Sequence, residues 1–354
     1  MHRNKKYFTK QLLDWNLNEN TRQMPWKGEN DPYKIWLSEI ILQQTRVEQG
    51  WEYYNRFIKT FPTIEKLAKA PEQKVFKLWE GLGYYTRCKN LMATARFISK
   101  EKQGKFPDSY VEILSLKGVG PYTAAAITSF AFNLPYAVVD GNVFRVLARF
   151  FAIDTAIDST AGKKAFTTLA DQLLEKTTPG IYNQAIMDFG AVVCKPKNPL
   201  CSNCLLKNKC AALKLGLVNQ LPVKETNLIK KERWLYYFLV EVDDTIYVRK
   251  RTAKDIWENL YEFIAEEHKK AIPVNNLKKM PFFKDLAAKN EIRHIAVSKI
   301  YKQQLTHQTI QGCFVYVKVK NPLQLKGYKS VSFKELKKLP FPKLITAYLA
   351  ENNL

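Results

Sequence analysis

No stretch of this 354-residue sequence stays apolar long enough to cross a bilayer. The least polar run, Tyr122–Val139, is interrupted by Thr, Ser, Asn and Pro and reads as a buried helix and a turn. The opening residues, MHRNKKYFTKQLLDW, lack the apolar segment of a secretory leader, so a reducing cytoplasm is expected and a membrane partner is not. Internal repeats and low-complexity tracts are missing too. Acidic residues are few, 33 against 56 Lys and Arg, which leaves a formal net charge of +23. Such a field draws polyanions, nucleic acid foremost, although a solvated lysine face or attraction to anionic membrane would also account for it.

What is present is the balance of a globular protein, 46% hydrophobic and 25% charged, with a length comfortable for two domains. Residues 1–215 read as an all-α domain of short helices. Apolar positions recur at three- and four-residue spacing in Tyr7–Trp15, Tyr33–Val47, Val75–Leu78, Leu91–Ile98, Ala124–Ala131, Val143–Phe150, Phe166–Leu174 and Asn183–Val193. Residues 216–232 are polar and aperiodic, the signature of a linker. Strand-like runs follow at Trp234–Val242, Ile246–Arg249 and Gly312–Val319, so 233–354 is expected to be a smaller α/β domain.

Cys194, Cys201, Cys204 and Cys210 are spaced C-x6-C-x2-C-x5-C. In a reducing compartment, four such thiols suit a compact four-cysteine site for a [4Fe–4S] cluster or a zinc ion. The spacing does not choose between them. Lys195, Lys197, Lys207 and Lys209 decorate the loop, as a basic hairpin braced by metal would require. Cys88 and Cys313 lie far off and are expected to be ordinary buried residues.

Leu116–Ala124, LKGVGPYTA, resembles a helix-hairpin-helix turn. Gly118 and Gly120 allow close backbone approach, and the helix that follows offers unpaired N–H groups to a phosphate. Upstream, Asp31-Pro32 has the form of an N-cap followed by proline at the first helical position. Tyr33, Trp36, Leu37, Ile40 and Ile41 then make one apolar stripe, from which Glu39 projects by roughly 120°. Taken alone, Glu39 would be a solvent-facing helix residue, and Asp140, in VVDGNV, a helix N-cap.

The surrounding strings change both readings. WLSEIILQQT (36–45), with the hairpin, VVDGNV and the cysteine spacing, resembles the MutY family of adenine DNA glycosylases, in the endonuclease III superfamily. The resemblance spans nearly the whole chain and implies a monomeric base-excision-repair enzyme, nucleoid-associated, with a [4Fe–4S] cluster on the four cysteines. Its partner would be duplex DNA carrying adenine opposite 8-oxoguanine or guanine. It assigns Glu39 as the acid that protonates adenine N7 and Asp140 as the carboxylate that faces the sugar and steadies its developing positive charge. Asn142 would orient Asp140, and Tyr122 would pack over the site and hydrogen-bond a carboxylate. A model glutamic acid with a pKa of roughly 4.3 is mostly ionised near neutrality, so Glu39 is expected to be partly desolvated when DNA is bound.

The resemblance also implies that Gln44 and Tyr84 wedge into the base stack. Gln44 would point into the apolar stripe if the helix continued, so the helix is expected to stop by about Gln43. Arg22, Met24, Trp26 and Gln184 match the adenine pocket, although Met24 and Trp26 are equally ordinary core residues. Two departures matter. The family carries proline where this chain has Lys117. The endonuclease III branch places its Schiff-base lysine where this chain has Tyr122, so a monofunctional glycosylase that leaves an abasic site is expected.

The C-terminal part, through YVRKR (247–251) and WENLYEF (257–263), resembles the Nudix-like lesion-recognition domain of the same family. The acidic Nudix metal box is missing around Glu266-Glu267, so nucleotide hydrolysis is not expected there. The family senses 8-oxoguanine with a Phe-Ser-His turn. Leu305-Thr306-His307 is the nearest match, which makes Thr306 and His307 the expected contacts; Val297-Ser298-Lys299 is a rival register. Two other functions stand beside this reading: an endonuclease III-like glycosylase–lyase for oxidised pyrimidines, and a non-catalytic iron–sulfur DNA-binding protein.

Overall fold

The computed structural model describes residues 2–225 and 230–354; part of the expected linker, 226–229, lies outside the described residues. The chain forms two compact units, 1–69 with 90–226 and 70–89 with 227–354. The division is therefore not a single cut at a linker, because a twenty-residue segment of the helical half groups with the C-terminal unit.

The helices run in order α1 His2–Asn18, α2 Pro32–Leu42, α3 Val47–Thr60, α4 Ile64–Ala68, α5 Glu72–Trp79, α6 Thr86–Glu101, α7 Tyr110–Ser115, α8 Pro121–Phe132, α9 Gly141–Phe151, α10 Thr160–Leu173, α11 Pro179–Val192 and α12 Ala211–Lys214. No helix of the described residues is long and apolar enough to cross a membrane. The core of the first unit shows why α9 forms where it does. Val143, Val146, Leu147 and Phe150 make one stripe and bury against Tyr182, Ile186 and Phe189 of α11 and Phe8, Leu12 and Trp15 of α1. Each such side chain contributes about 1.5–3 kcal/mol when fully buried.

Two helix starts follow the sequence closely. Asp31 caps α2 by accepting from Tyr33 N at 2.9 Å, with Pro32 at the first position. Asp140 caps α9 by accepting from the backbone N of Asn142 and of Val143, both at 2.8 Å. One expectation is corrected. The apolar run Tyr33–Val47 is not one helix: α2 ends at Leu42, and Gln44 takes a left-handed φ of 56° before α3 begins. The stop near Gln43 is as expected, and Gln44 is exposed.

The second unit carries an eight-stranded sheet: β1 Lys231–Val242, β2 Thr245–Lys250, β3 Tyr261–Glu262, β4 Ile264–His268, β5 Ile292–Val297, β6 Tyr301–Gln304, β7 Gln308–Val319 and β8 Lys329–Ser332. Its central path is β3-β2-β1-β7-β5, and β1 runs parallel to β7 from Lys231↔Gln308 to Glu241↔Lys318. Helices α13 Pro281–Lys289, α14 Phe333–Leu336 and α15 Lys343–Glu351 complete the unit. Strand β1 is buried on both faces, which explains its nearly continuous apolar run. Phe238 and Val240 share a cluster with Phe283 and Leu286 of α13, while Tyr237 stacks on Phe314, which stacks on Tyr348 of α15.

Candidate active site

Eight residues singled out in the sequence line one cavity of about 490 Å³ in the first unit: Arg22, Met24, Trp26, Glu39, Tyr122, Asp140, Asn142 and Gln184. Helix α2 packs against α8, and this contact turns Glu39 away from solvent. Glu39 is only 5% exposed, so the protein itself removes it from water before any DNA is bound. Burial pushes the Glu39 carboxyl up to about 7; the nearby Asp140 charge adds to the rise and a hydrogen bond from Tyr122 opposes it. The Tyr122 hydroxyl is raised well above its usual range by burial and by the carboxyls of Glu39 and Asp140.

Asp140 is held differently. One oxygen accepts the two backbone N–H groups that start α9, and the other accepts Asn142 Nδ2 at 2.7 Å. Burial raises its pKa, while these hydrogen bonds and Arg145 pull it back. Asn142 is itself fixed, because Arg145 Nη2 donates to its Oδ1 at 2.8 Å. The site thus offers a proton on one wall and an oriented, hydrogen-bonded carboxylate on another, the arrangement for protonating a leaving group while sheltering positive charge.

Met24 and Trp26 are 8% and 9% exposed and serve both readings: Trp26 packs on Trp51 and Tyr54 and also walls the cavity. Behind this wall lies Asp188, which sequence reasoning missed. Its side chain is fully buried and takes Arg22 at 2.7 Å and Lys27 at 3.0 Å. Its place four residues after Gln184, on the same helix face, was the available signal.

At the hairpin turn, Gly118 has a φ of +83°, and a Cβ there would stand 2.8 Å from that of Asn90, so both backbone and space require glycine. Gly120 caps α8, and nothing lies within 4 Å of the place its Cβ would fill, which leaves the backbone open to a phosphate.

Cys194, Cys201, Cys204 and Cys210 are free thiols around one recess, with Arg149, Val193 and Leu213 in its wall. Among the described residues no group of three or more His, Cys, Asp or Glu side chains is arranged to hold a single metal ion. The thiols are nonetheless surrounded by donors. Arg149 Nη1 stands 3.5 Å from Cys194 Sγ, and backbone N–H groups of Leu206 and of Ala212 and Leu213 reach Cys204 and Cys210. Cys88 and Cys313 are buried, as expected.

In the second unit, Leu305–His307 forms the tip of the β6–β7 hairpin, with Thr306 and His307 exposed. The Tyr84 hydroxyl is hydrogen-bonded to Thr306 Oγ1. Tyr84 has a left-handed φ of 48° and is 41% exposed, so it is not a core tyrosine. The rival register is tied into the sheet instead: Ser298 Oγ accepts from Phe314 N at 2.9 Å. Glu267 is ion-paired with Arg233 and Glu266 accepts from Phe282 N, so these two carboxylates are engaged within the protein.

A family model described as HhH-GPD superfamily base excision DNA repair protein matches residues 37–172, and one described as NUDIX domain matches 236–351. The adenine DNA glycosylase of Buchnera aphidicola subsp. Baizongia pistaciae is 34% identical over 313 residues, covering 86% of this chain and 84% of that protein. The adenine DNA glycosylase of Mus musculus is 39% identical over 227 residues, 61% of this chain and 44% of its own. Among solved structures, a thermostable thymine-DNA glycosylase superposes with a TM-score of 0.56 at 29% identity, over 60% of this chain and 98% of that one.

Proposed function

Since this chain belongs to the adenine DNA glycosylases of the HhH-GPD base-excision-repair superfamily, we propose that it releases adenine mispaired with 8-oxoguanine or guanine in duplex DNA, using Glu39 as acid and Asp140 as the sugar-facing carboxylate. The observation that carries this reading is the shared cavity, where a carboxyl with its pKa near 7 faces a carboxylate pinned by three donors. Neutral adenine is a poor leaving group. Glu39, mostly protonated below that pKa, delivers a proton to the base, the glycosidic electrons leave with it, and Asp140 faces the cation that remains on the sugar. Asn142 holds Asp140 in orientation, and Tyr122 covers Glu39. Arg22, Met24, Trp26 and Gln184 form the base pocket, and Gln44 and Tyr84 fill the gap left in the duplex. The turn at Gly118 and Gly120 grips the phosphate backbone, aided by the net charge of +23.

The four cysteines would hold a [4Fe–4S] cluster, a fit supported by their common recess and by the N–H donors around their sulfurs. With every ligand position supplied by protein, such a cluster would supply a structural brace for the basic loop. In the second unit, the Tyr84–Thr306 hydrogen bond favours Leu305–His307 as the turn that reads 8-oxoguanine.

The test is a single-turnover assay on 8-oxoguanine:adenine and guanine:adenine duplexes with the wild type, Glu39→Gln and Asp140→Asn. Adenine release by the wild type and near-complete loss in both variants is the expected result. Binding without release would leave only a DNA-binding protein. Strand cleavage of a pyrimidine-lesion duplex without added base would point to a lyase, although Tyr122 offers no amine for a Schiff base.

A further inference from the structure

Asp188 lies one helical turn beyond Gln184 on α11, and its buried carboxylate accepts four hydrogen bonds. Oδ1 receives Arg22 Nη1 at 2.7 Å and Gln184 Nε2 at 2.9 Å; Oδ2 receives Lys27 Nζ at 3.0 Å and Asn20 Nδ2 at 2.9 Å. That set occupies the roughly four acceptor sites a carboxylate possesses. A carboxylate can only accept, so the end of the Gln184 amide that faces it must be the nitrogen. The oxygen is then the end not engaged by that carboxylate, on a side chain that lines the cavity.

We propose that Asp188 is a positioning residue that locks the Gln184 amide with its oxygen toward the cavity and so selects purines bearing a 6-amino group over those bearing a 6-oxo group. The inference rests on the adenine-release reading above and deepens it. The 6-amino group of adenine is a donor, whereas the O6 of guanine or hypoxanthine is an acceptor. An oriented acceptor therefore pairs with the first and opposes the second. Without Asp188, the amide loses the acceptor that holds its nitrogen and can turn over to present its NH2 instead. The same carboxylate ties Asn20, Arg22 and Lys27, on the segment before α2, to α11, so the wall bearing Arg22 and the wall bearing Gln184 are set by one group.

The experiment places adenine, unsubstituted purine or hypoxanthine opposite 8-oxoguanine and measures single-turnover release. The proteins are the wild type, Asp188→Asn, Gln184→Met and the double variant Gln184→Glu/Asp188→Asn, each checked by thermal melting. The readout is the adenine-to-hypoxanthine rate ratio relative to wild type, which cancels the intrinsic lability of each base. Asp188→Asn and Gln184→Met are each expected to lower it by about tenfold or more. The double variant should recover most of it, because a glutamate at 184 presents an oxygen whichever way it turns. A common drop in all three rates in Asp188→Asn with the ratio intact, or a double variant no better than the single one, overturns the proposal. If Asp188→Asn does not fold, an unchanged ratio in Gln184→Met overturns it equally. Wild-type protein that releases no adenine would instead bring down the enzymatic reading itself.

Discussion

The hydroxyl of Tyr122 donates a hydrogen bond to the carboxyl of Glu39, and the two sit in a cavity that Asp140 also lines. The relationship is a balance. Burial and the Asp140 charge raise Glu39, and the Tyr122 hydrogen bond opposes that rise, leaving a group that can hold a proton near neutrality and give it up.

The pH profile of adenine release follows. Glu39 acts in its protonated form, so the rate should fall as pH rises through about 7. Asp140 acts ionised, and its raised pKa places an acid limb at a pH above the usual aspartate range. The result is a bell whose two limbs belong to the coupled pair. A rate independent of pH between 5 and 9 under single-turnover conditions would refute the assignment.

The same shift bears on stability. Folding raises Glu39 from 4.5 to about 7, so its ionisation favours the unfolded chain. That penalty is zero below the unfolded value, grows between the two and is complete above about 7, where it reaches roughly 3 kcal/mol. Glu39→Gln should therefore melt higher than wild type at pH 8, and the gap should close as pH falls toward 4.5. Equal melting temperatures at both ends would show that Glu39 is not buried in solution.

Much of this site was legible because its residues lie in short local strings. Asp31-Pro32 announces α2, and Asp140 announces α9 through the same capping chemistry. The period of the apolar stripe set Glu39 off the core, yet could not show that α8 covers it, since that packing joins segments some eighty residues apart. Asp188 escaped notice because its meaning lies in donors from Asn20 to Lys27, brought to it only by folding. In the second unit β1, β2 and β7 were evident from apolar runs. β5 and β6 were not, because Ile292–Val297 has no fully buried residue and sets Arg293 and His294 side by side, and Tyr301–Gln304 is polar after its first residue.

Asn142 offers a cleaner test of Asp140 than Asp140 itself. Its Nδ2 donates to that carboxylate at 2.7 Å. Asn142→Ala leaves the α9 cap intact but frees one carboxylate oxygen. Release should slow by roughly tenfold to a hundredfold, the worth of one charged hydrogen bond, with DNA affinity nearly unchanged. An equal loss of affinity would place Asn142 in binding instead.

The Tyr84–Thr306 contact predicts a change in preference. Tyr84→Phe and Thr306→Val each remove the hydrogen bond while keeping most of the volume. The ratio of release from 8-oxoguanine:adenine over guanine:adenine should fall by about threefold to tenfold in both. If Ser298→Ala has this effect and Thr306→Val does not, the sensing turn lies in the other register.

Arg145 Nε donates to the carbonyl of Cys194 at 2.7 Å while its Nη2 holds Asn142, so the start of the cysteine loop and the Asp140 carboxylate share one guanidinium. Arg149, one turn on, binds the carbonyls of Lys195 and Pro196. Purified protein should contain four iron and four sulfide per chain, as the cluster's formula requires. Cys204→Ser should lose iron and melt lower. It should also slow adenine release more than it weakens binding to undamaged duplex, because a disordered loop removes the anchor behind Asn142 and leaves the Gly118 turn in place. Iron lost with release unchanged would confine the loop to bracing.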